Sequence, residues 1–418
     1  MKKITQIARQ LLLTVCFLLT ITFVWHGVFL ASTSSAIAAT ENGQPQPTTS
    51  SSQDTDRTQT DTIVTGDSEL PNPDRDLPET ERGFEGNNNW RFIGKAKFID
   101  ANTANAMIER FESQERSKLQ LNQSEEPDPE MDLMVAVNAI DGRMYEQIRS
   151  NRPSSSSADI EPRNSGELEV TDKPPVLRAI NGTDDRKVYL DMKSYPERTI
   201  GAIAPKGSTA SSCSGALVGP RHVLTAGHCI HPGGGGKDKF YANRDFAPGW
   251  KGVGNTANEK PNGHYQKVWY FAPKGWFEKG DSRYDYAVVV LENNDNLRKL
   301  GWLGTTTGTI GNLTQKTVRT RGYPGWEREC KGSPIESGEN KGKCYNYMYG
   351  MTCKGIAVGP FQFSHNCDIQ KGQSGSPIFK ENNSIYGIVT QEAAGVNWAV
   401  KMRDNIQDTI AEARSKFP

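Results

Sequence analysis

Beyond about Pro175 the chain reads as short β-rich runs cut by Gly and Pro, and this texture limits the folds open to it. Thr199-Ile200-Gly201-Ala202-Ile203, Gly215-Ala216-Leu217-Val218, His222-Val223-Leu224-Thr225, Tyr286-Ala287-Val288-Val289-Val290-Leu291 and Ile385-Tyr386-Gly387-Ile388-Val389 are such runs. Many short strands separated by turn residues predict an all-β barrel or sandwich. The 40 Gly and 23 Pro supply the turns, while 15 Phe, 13 Tyr and 8 Trp suit a β core rather than a helical bundle. Ile406, Ile410 and Ala413 recur at helical spacing, so one helix closes the chain.

The first 38 residues have another character. Lys2, Lys3 and Arg9 precede an apolar run from Leu11 to about Leu30, followed by Ala36-Ile37-Ala38-Ala39. This is the layout of a secretory signal peptide cleaved after Ala38. The competing reading is a retained transmembrane anchor, but Thr14, Thr20, Thr22 and His26 interrupt the run. Either way the remainder is exported. Cys16 lies inside the run, leaving Cys213, Cys229, Cys330, Cys344, Cys353 and Cys367 for an oxidising compartment. An even number there reads as three disulfides, with fifteen pairings open.

With 49 basic and 49 acidic side chains the net charge is +0, which offers nothing to hold a phosphate backbone, so no nucleic-acid partner is expected. No membrane contact is expected once the signal is cleaved. Residues 39–88 are Ser, Thr, Gln, Asp and Pro with few large apolar residues, the composition of a disordered linker. Trp90, Phe92, Phe98, Met134, Val135 and Ile140 mark residues 89–178 as different, and Met107, Ile108 and Phe111 sit at helical spacing.

Two local patterns carry chemistry: Thr225-Ala226-Gly227-His228-Cys229 and Gly372-Gln373-Ser374-Gly375-Ser376-Pro377. A serine hydroxyl needs a positioned imidazole to take its proton, and the imidazole needs a carboxylate to fix its tautomer. Asp285, at the entry to the most apolar strand, is the best candidate. An α/β-hydrolase is excluded because no histidine follows Ser374; the order His228, Asp285, Ser374 is that of double β-barrel proteases. A metal held by His228, Cys229 and His231 competes weakly, since the spacing lacks a paired zinc framework. No metal and no cofactor are expected. His222, His264 and His365 read as strand or loop residues.

From about Ala179 to Pro418 the chain resembles the chymotrypsin/trypsin superfamily, nearest to its bacterial V8-like (glutamyl endopeptidase) branch. Besides the two patterns above, the resemblance rests on Cys213-Ser214-Gly215-Ala216-Leu217-Val218-Gly219-Pro220, Phe271-Ala272-Pro273-Lys274-Gly275-Trp276, Tyr284-Asp285-Tyr286-Ala287 and Gly322-Tyr323-Pro324-Gly325. It implies two six-stranded antiparallel β-barrels with a C-terminal helix, preceded by a signal peptide and a largely disordered pro-region. The implied division is residues 1–38 signal peptide, 39–88 linker, 89–178 propeptide or accessory segment, and 179–418 protease domain. By the same resemblance His228 is the general base, Asp285 its orienting carboxylate and Ser374 the nucleophile, with the N–H groups of Gly372 and Ser374 as oxyanion hole. A Cys213–Cys229 bridge pins the histidine loop, Cys353 pairs with Cys367 across the Gly359-Pro360 turn, and Cys330 with Cys344 closes a Gly-rich loop. The implied function is a secreted, monomeric serine endopeptidase acting on proteins or peptides. The rival is an inactive protease-like binding module held at the cell surface.

Asp368, Thr390, Glu392 and Gly395 are the implied substrate-binding residues. Val389 stands where glutamyl-specific relatives carry a histidine, and Glu392 repels an acidic substrate side chain, so a basic residue before the scissile bond is expected ahead of Glu. In animal trypsins a freed N-terminal amine pairs with an aspartate beside the nucleophile. Here that neighbour is the uncharged Gln373. Processing is expected near Arg178, because residues 177–186 resemble the start of mature V8-like enzymes.

Overall fold

Every residue of the AVVVL run Ala287–Leu291 is buried, and pairing on both of its edges closes a barrel around it. The computed structural model describes residues 84, 89–114, 128–148, 184–242, 244–252, 256–307, 313–325, 329–338, 341–392 and 396–418. In chain order the strands are β1 (Trp90–Lys95), β2 (Phe98–Ile99), β3 (Met134–Asn138), β4 (Arg143–Gln147), β5 (Lys187–Tyr189), β6 (Ile200–Pro205), β7 (Cys213–Gly219), β8 (His222–Thr225), β9 (Phe240–Tyr241) and β10 (Arg244–Pro248). They continue as β11 (Tyr265–Pro273), β12 (Ala287–Leu291), β13 (Gly304–Thr305), β14 (Thr317–Gly322), β15 (Met348–Val358), β16 (Gln362–His365), β17 (Pro377–Phe379), β18 (Ser384–Glu392) and β19 (Asn397–Lys401).

The first ring runs β11-β10-β6-β7-β8-β12 and closes by β12 pairing with β11, six antiparallel strands in all. The second runs β18-β17-β14-β15-β16-β19 and closes by β19 pairing with β18. Closure gives every ring strand a partner on both sides, while the stretch Trp269–Pro273 of β11 keeps one edge open to a further strand. The expected all-β, two-barrel architecture is what the chain forms. The helix Asp404–Lys416 packs on β7, β8 and β12, burying Ile406, Ile410 and Ala413 against the first barrel. It covers the outer face of strands that carry apolar residues on both sides.

Between residues 89 and 148 the described chain is ordered and woven into the first barrel. β3 pairs antiparallel with β11, β4 with β3, and β1 with β4. Val135 and Val137 of β3 are 1% and 0% exposed. Each such burial contributes about 1.5–3 kcal/mol, which offsets the cost of ordering the segment. Lys274, at the start of the short helix Lys274–Lys279, reaches Glu146 at 2.6 Å and Glu130 at 3.2 Å. Burial works against its ammonium, but the hydrogen bonds and charge of these carboxylates outweigh it and raise its pKa above the ordinary lysine value. The indole of Trp90 donates to Glu412 of the closing helix at 2.6 Å. The described residues before and after position 179 therefore belong to one compact unit. The expected signal peptide, most of the linker and the expected processing site near Arg178 lie outside the described residues.

The helix expected around Met107, Ile108 and Phe111 spans Ala101–Gln114. Asp100 starts it, its carboxylate accepting the N–H groups of Asn102 and Thr103 at 2.9 and 3.0 Å, which satisfies two donors of the first turn. Ala104 and Ile108 are buried against the first barrel.

Candidate active site

β8 and β12 are paired so that Thr225 stands opposite Ala287. That register brings the turn after β8, with His228, to the same end as the residues before β12, with Asp285. The Asp285 carboxylate grips His228 twice: Oδ2 lies 2.7 Å from Nδ1, and Oδ1 accepts the His228 main-chain N–H at 2.8 Å. Both residues are fully buried. One carboxylate thus fixes the ring's rotation and favours the proton on Nδ1, leaving Nε2 unprotonated. Gly227 cannot carry a side chain, because a β-carbon there would lie 2.8 Å from the Trp276 ring.

Ser374 lies on a turn between the barrels, and Ser214 of β7 anchors that turn. The Ser214 N–H donates to the Ser374 carbonyl at 2.8 Å, and its hydroxyl donates to the Gly372 carbonyl at 2.9 Å. The Tyr323 N–H donates to the same hydroxyl at 2.8 Å, and the Thr225 hydroxyl donates to the Ser214 carbonyl at 2.7 Å. The serine turn and the histidine strand therefore share one buried hub. Gly372 has φ +94° and Gly375 φ +83°, values that disfavour any residue with a β-carbon. A β-carbon on Gly372 would also meet the Gly325 nitrogen at 2.6 Å. These two glycines let the chain reverse sharply around Ser374.

Cys213 is joined to Cys229, Cys330 to Cys344 and Cys353 to Cys367. The first bridge ties the residue beside His228 to the start of β7. Among the described residues, groups of three or more close metal-donor side chains are Cys213/His228/Cys229 and Cys353/His365/Cys367. In both, two of the three donors are sulfurs already bonded to each other. His231 accepts the Gly233 N–H on Nδ1 and donates from Nε2 to the Gly236 carbonyl. Burial lowers its pKa to about 4, and those of His222 and His365 to about 3, so all three stay neutral at ordinary pH.

Residues 213–388 match the family of the trypsin-like peptidase domain. That match covers less than half of the chain. The chain is similar to a glutamyl endopeptidase of Bacillus licheniformis, 30% identical over 220 residues, covering 50% of this chain and 58% of the relative. The chain thus spans less than two thirds of that relative. An extracellular metalloprotease of Bacillus subtilis is 24% identical over 239 residues, covering 56% of this chain and 68% of the relative. A solved structure of a Glu endopeptidase in complex with MPD is 25% identical and covers 56% of this chain and 98% of its own, with a TM-score of 0.46.

A cleft beside Ser374 is lined by residues 369–371, 374 and 389–392. Thr390 and Glu392 stand in that lining; Gly395 lies outside the described residues. Asp368 directly precedes Ile369 of that lining. It is 2% exposed, is not among the lining residues, and its Oδ2 accepts the main-chain N–H of Asp185 at 3.0 Å.

The His228 ring is covered in this chain. Phe111 stacks on the His228 ring, with centroids 4.6 Å apart and planes 27° apart, and meets Trp276 edge-on at 5.3 Å. Lys371, on the other wall, extends its ammonium to the Glu109 carbonyl at 3.4 Å. The helix Ala101–Gln114 therefore crosses from the histidine side to the pocket side. Asn105 of the same helix accepts from the buried Arg244 at 2.8 Å. Sequence reasoning placed Phe111 on a helix but gave no sign of what its ring touches. It also missed Ser214 and Arg186, and only the position of Ser214 beside Cys213 offered a hint.

Proposed function

We propose that the chain is an exported, monomeric serine endopeptidase that cleaves proteins or peptides through an acyl-enzyme. The two-point grip of Asp285 on His228 carries this reading. His228 Nε2 takes the proton of the Ser374 hydroxyl as its oxygen attacks the scissile carbonyl, and Asp285 stabilises the resulting imidazolium. The N–H groups of Gly372 and Ser374 receive the developing oxyanion. The imidazolium then protonates the leaving amine, and water, deprotonated by the same ring, releases the acyl group. No step needs a cofactor. Export is supported by the three disulfides and by the signal-like N-terminus. We place the protease domain at residues 179–418 and the processing site near Arg178.

A basic side chain before the scissile bond is favoured over Glu. Glu392 lines the cleft, and the buried Thr390 hydroxyl has no hydrogen-bond partner among the described residues, so both can accept from an ammonium or guanidinium. Fluorogenic peptides differing only at that residue test function and preference together. Arg and Lys peptides are expected to be cut fastest, and Glu392→Gln to reduce their advantage by up to about fivefold, the range of one partly solvated ion pair. Faster cleavage after Glu would overturn the preference, and no cleavage of any peptide by processed protein would overturn the function. The covered His228 favours one other reading, a binding module whose cleft never opens; such a protein would also take no substrate after processing.

A further inference from the structure

The oxyanion turn has to be held in shape by something outside it, and the residue that does so is visible. Gln373, beside the nucleophile, is fully buried, and its side-chain Oε1 accepts two N–H groups. One is the main-chain N–H of Gln370 at 2.9 Å, within the same turn; the other is the Arg186 guanidinium at 2.8 Å. Both partners are donors, so the amide can only face them with its oxygen. The Gln373 N–H in turn donates to the Gln370 carbonyl at 2.9 Å, closing the turn on itself.

Arg186 is itself immobilised. Its side chain is 0% exposed, and Asp184 takes it in a fork, Nε to Oδ1 at 2.9 Å and one terminal nitrogen to Oδ2 at 2.7 Å. The Asp184 carboxyl is raised by burial, but Arg186 outweighs that and lowers it below the ordinary value, so the pair stays charged. The backbone of this segment is fixed too, with the Asp185 N–H on Asp368 and β5 paired to β15. A permanent cation is thus delivered to the residue next to Ser374 from within the chain.

We propose that Arg186 is the positioning residue of the oxyanion hole, forming the turn by a side-chain charge, with no free N-terminal amine required. The proposal rests on the serine-protease reading. It means that the turn is already formed in the uncleaved chain, and that processing serves to clear the cleft. It also means that the identity and charge of the new N-terminus do not matter to catalysis.

The test uses processed enzyme and a fluorogenic peptide. Arg186→Met is expected to lower kcat about 10²–10³-fold, the effect of losing an oxyanion donor, with KM within about threefold of wild type. Arg186→Lys, which keeps a cation, is expected to recover part of the loss. Gln373→Met removes the acceptor while sparing the Arg186–Asp184 pair, and serves if Arg186→Met does not fold; it is expected to show the same kcat loss. Acetylating the processed N-terminus is expected to leave kcat unchanged. A folded Arg186→Met or Gln373→Met enzyme with kcat within about threefold of wild type overturns the proposal, as does loss of activity on acetylation. Wild-type turnover separates the two levels: an inert wild type removes the protease reading and this proposal with it, whereas an active wild type with an unaffected variant removes the proposal alone.

Discussion

Asp285→Asn is expected to lower kcat by about four orders of magnitude while the protein stays folded. The carboxylate makes two bonds to His228, one to Nδ1 and one to the main-chain N–H. An amide can keep the main-chain bond with its oxygen, which turns its NH₂ toward the ring. That amide then donates to Nδ1, moves the ring proton to Nε2, and removes the base that Ser374 needs. Peptide hydrolysis by wild type and variant, with thermal melting of both, checks this. A variant with kcat within tenfold of wild type would mean that His228 is not the base. The buried His222, His231 and His365 offer no substitute, since burial lowers their pKa values to about 3 or 4 and makes each a poor proton acceptor.

Phe111→Ala in the uncleaved chain is expected to raise the rate of active-site labelling by about thirtyfold. Truncating a ring that stacks on His228 and meets Trp276 edge-on removes about 2 kcal/mol of apolar burial and aromatic contact from the closed state. The rest of the segment stays in place, because β3 remains paired to β11 and Lys274 to Glu146. For the same reason, cutting near Arg178 alone is expected to leave residues 89–148 attached without a covalent link, until the helix is itself cut or displaced. Labelling of uncleaved wild type and variant side by side reads this out. Equal rates would show that the ring does not control access.

The barrels were legible because strand runs and turn residues are local signals, and the β8–β12 end was legible because the motifs around His228 and Asp285 mark both strands. The serine turn was legible for a similar reason, as Gly372 and Gly375 flank Ser374 within four residues. What could not be read was long-range. Nothing in Met134–Asn138 says that it will add to β11 rather than to another open edge, since any half-buried apolar strand suits several partners. The bond from the Asp185 N–H to Asp368 spans 183 positions, and no local signal gives that pairing. Arg186 lay in a stretch noted only as a candidate mature start. Its role depends on a glutamine amide across the fold, and a single sequence gives no means of pairing the two.

The most direct measurement is intact mass of the secreted protein before and after a fluorophosphonate probe, with Ser374→Ala as control. Wild-type protein cut near Arg178 and cleared of the helix Ala101–Gln114 is expected to gain one probe adduct, the uncleaved chain to gain it much more slowly, and Ser374→Ala to gain none. The mass of the labelled species also fixes where processing occurs. A folded wild type, cut and cleared in this way, that takes no label would contradict an activated Ser374, and the chain would then be a protease-like binding module.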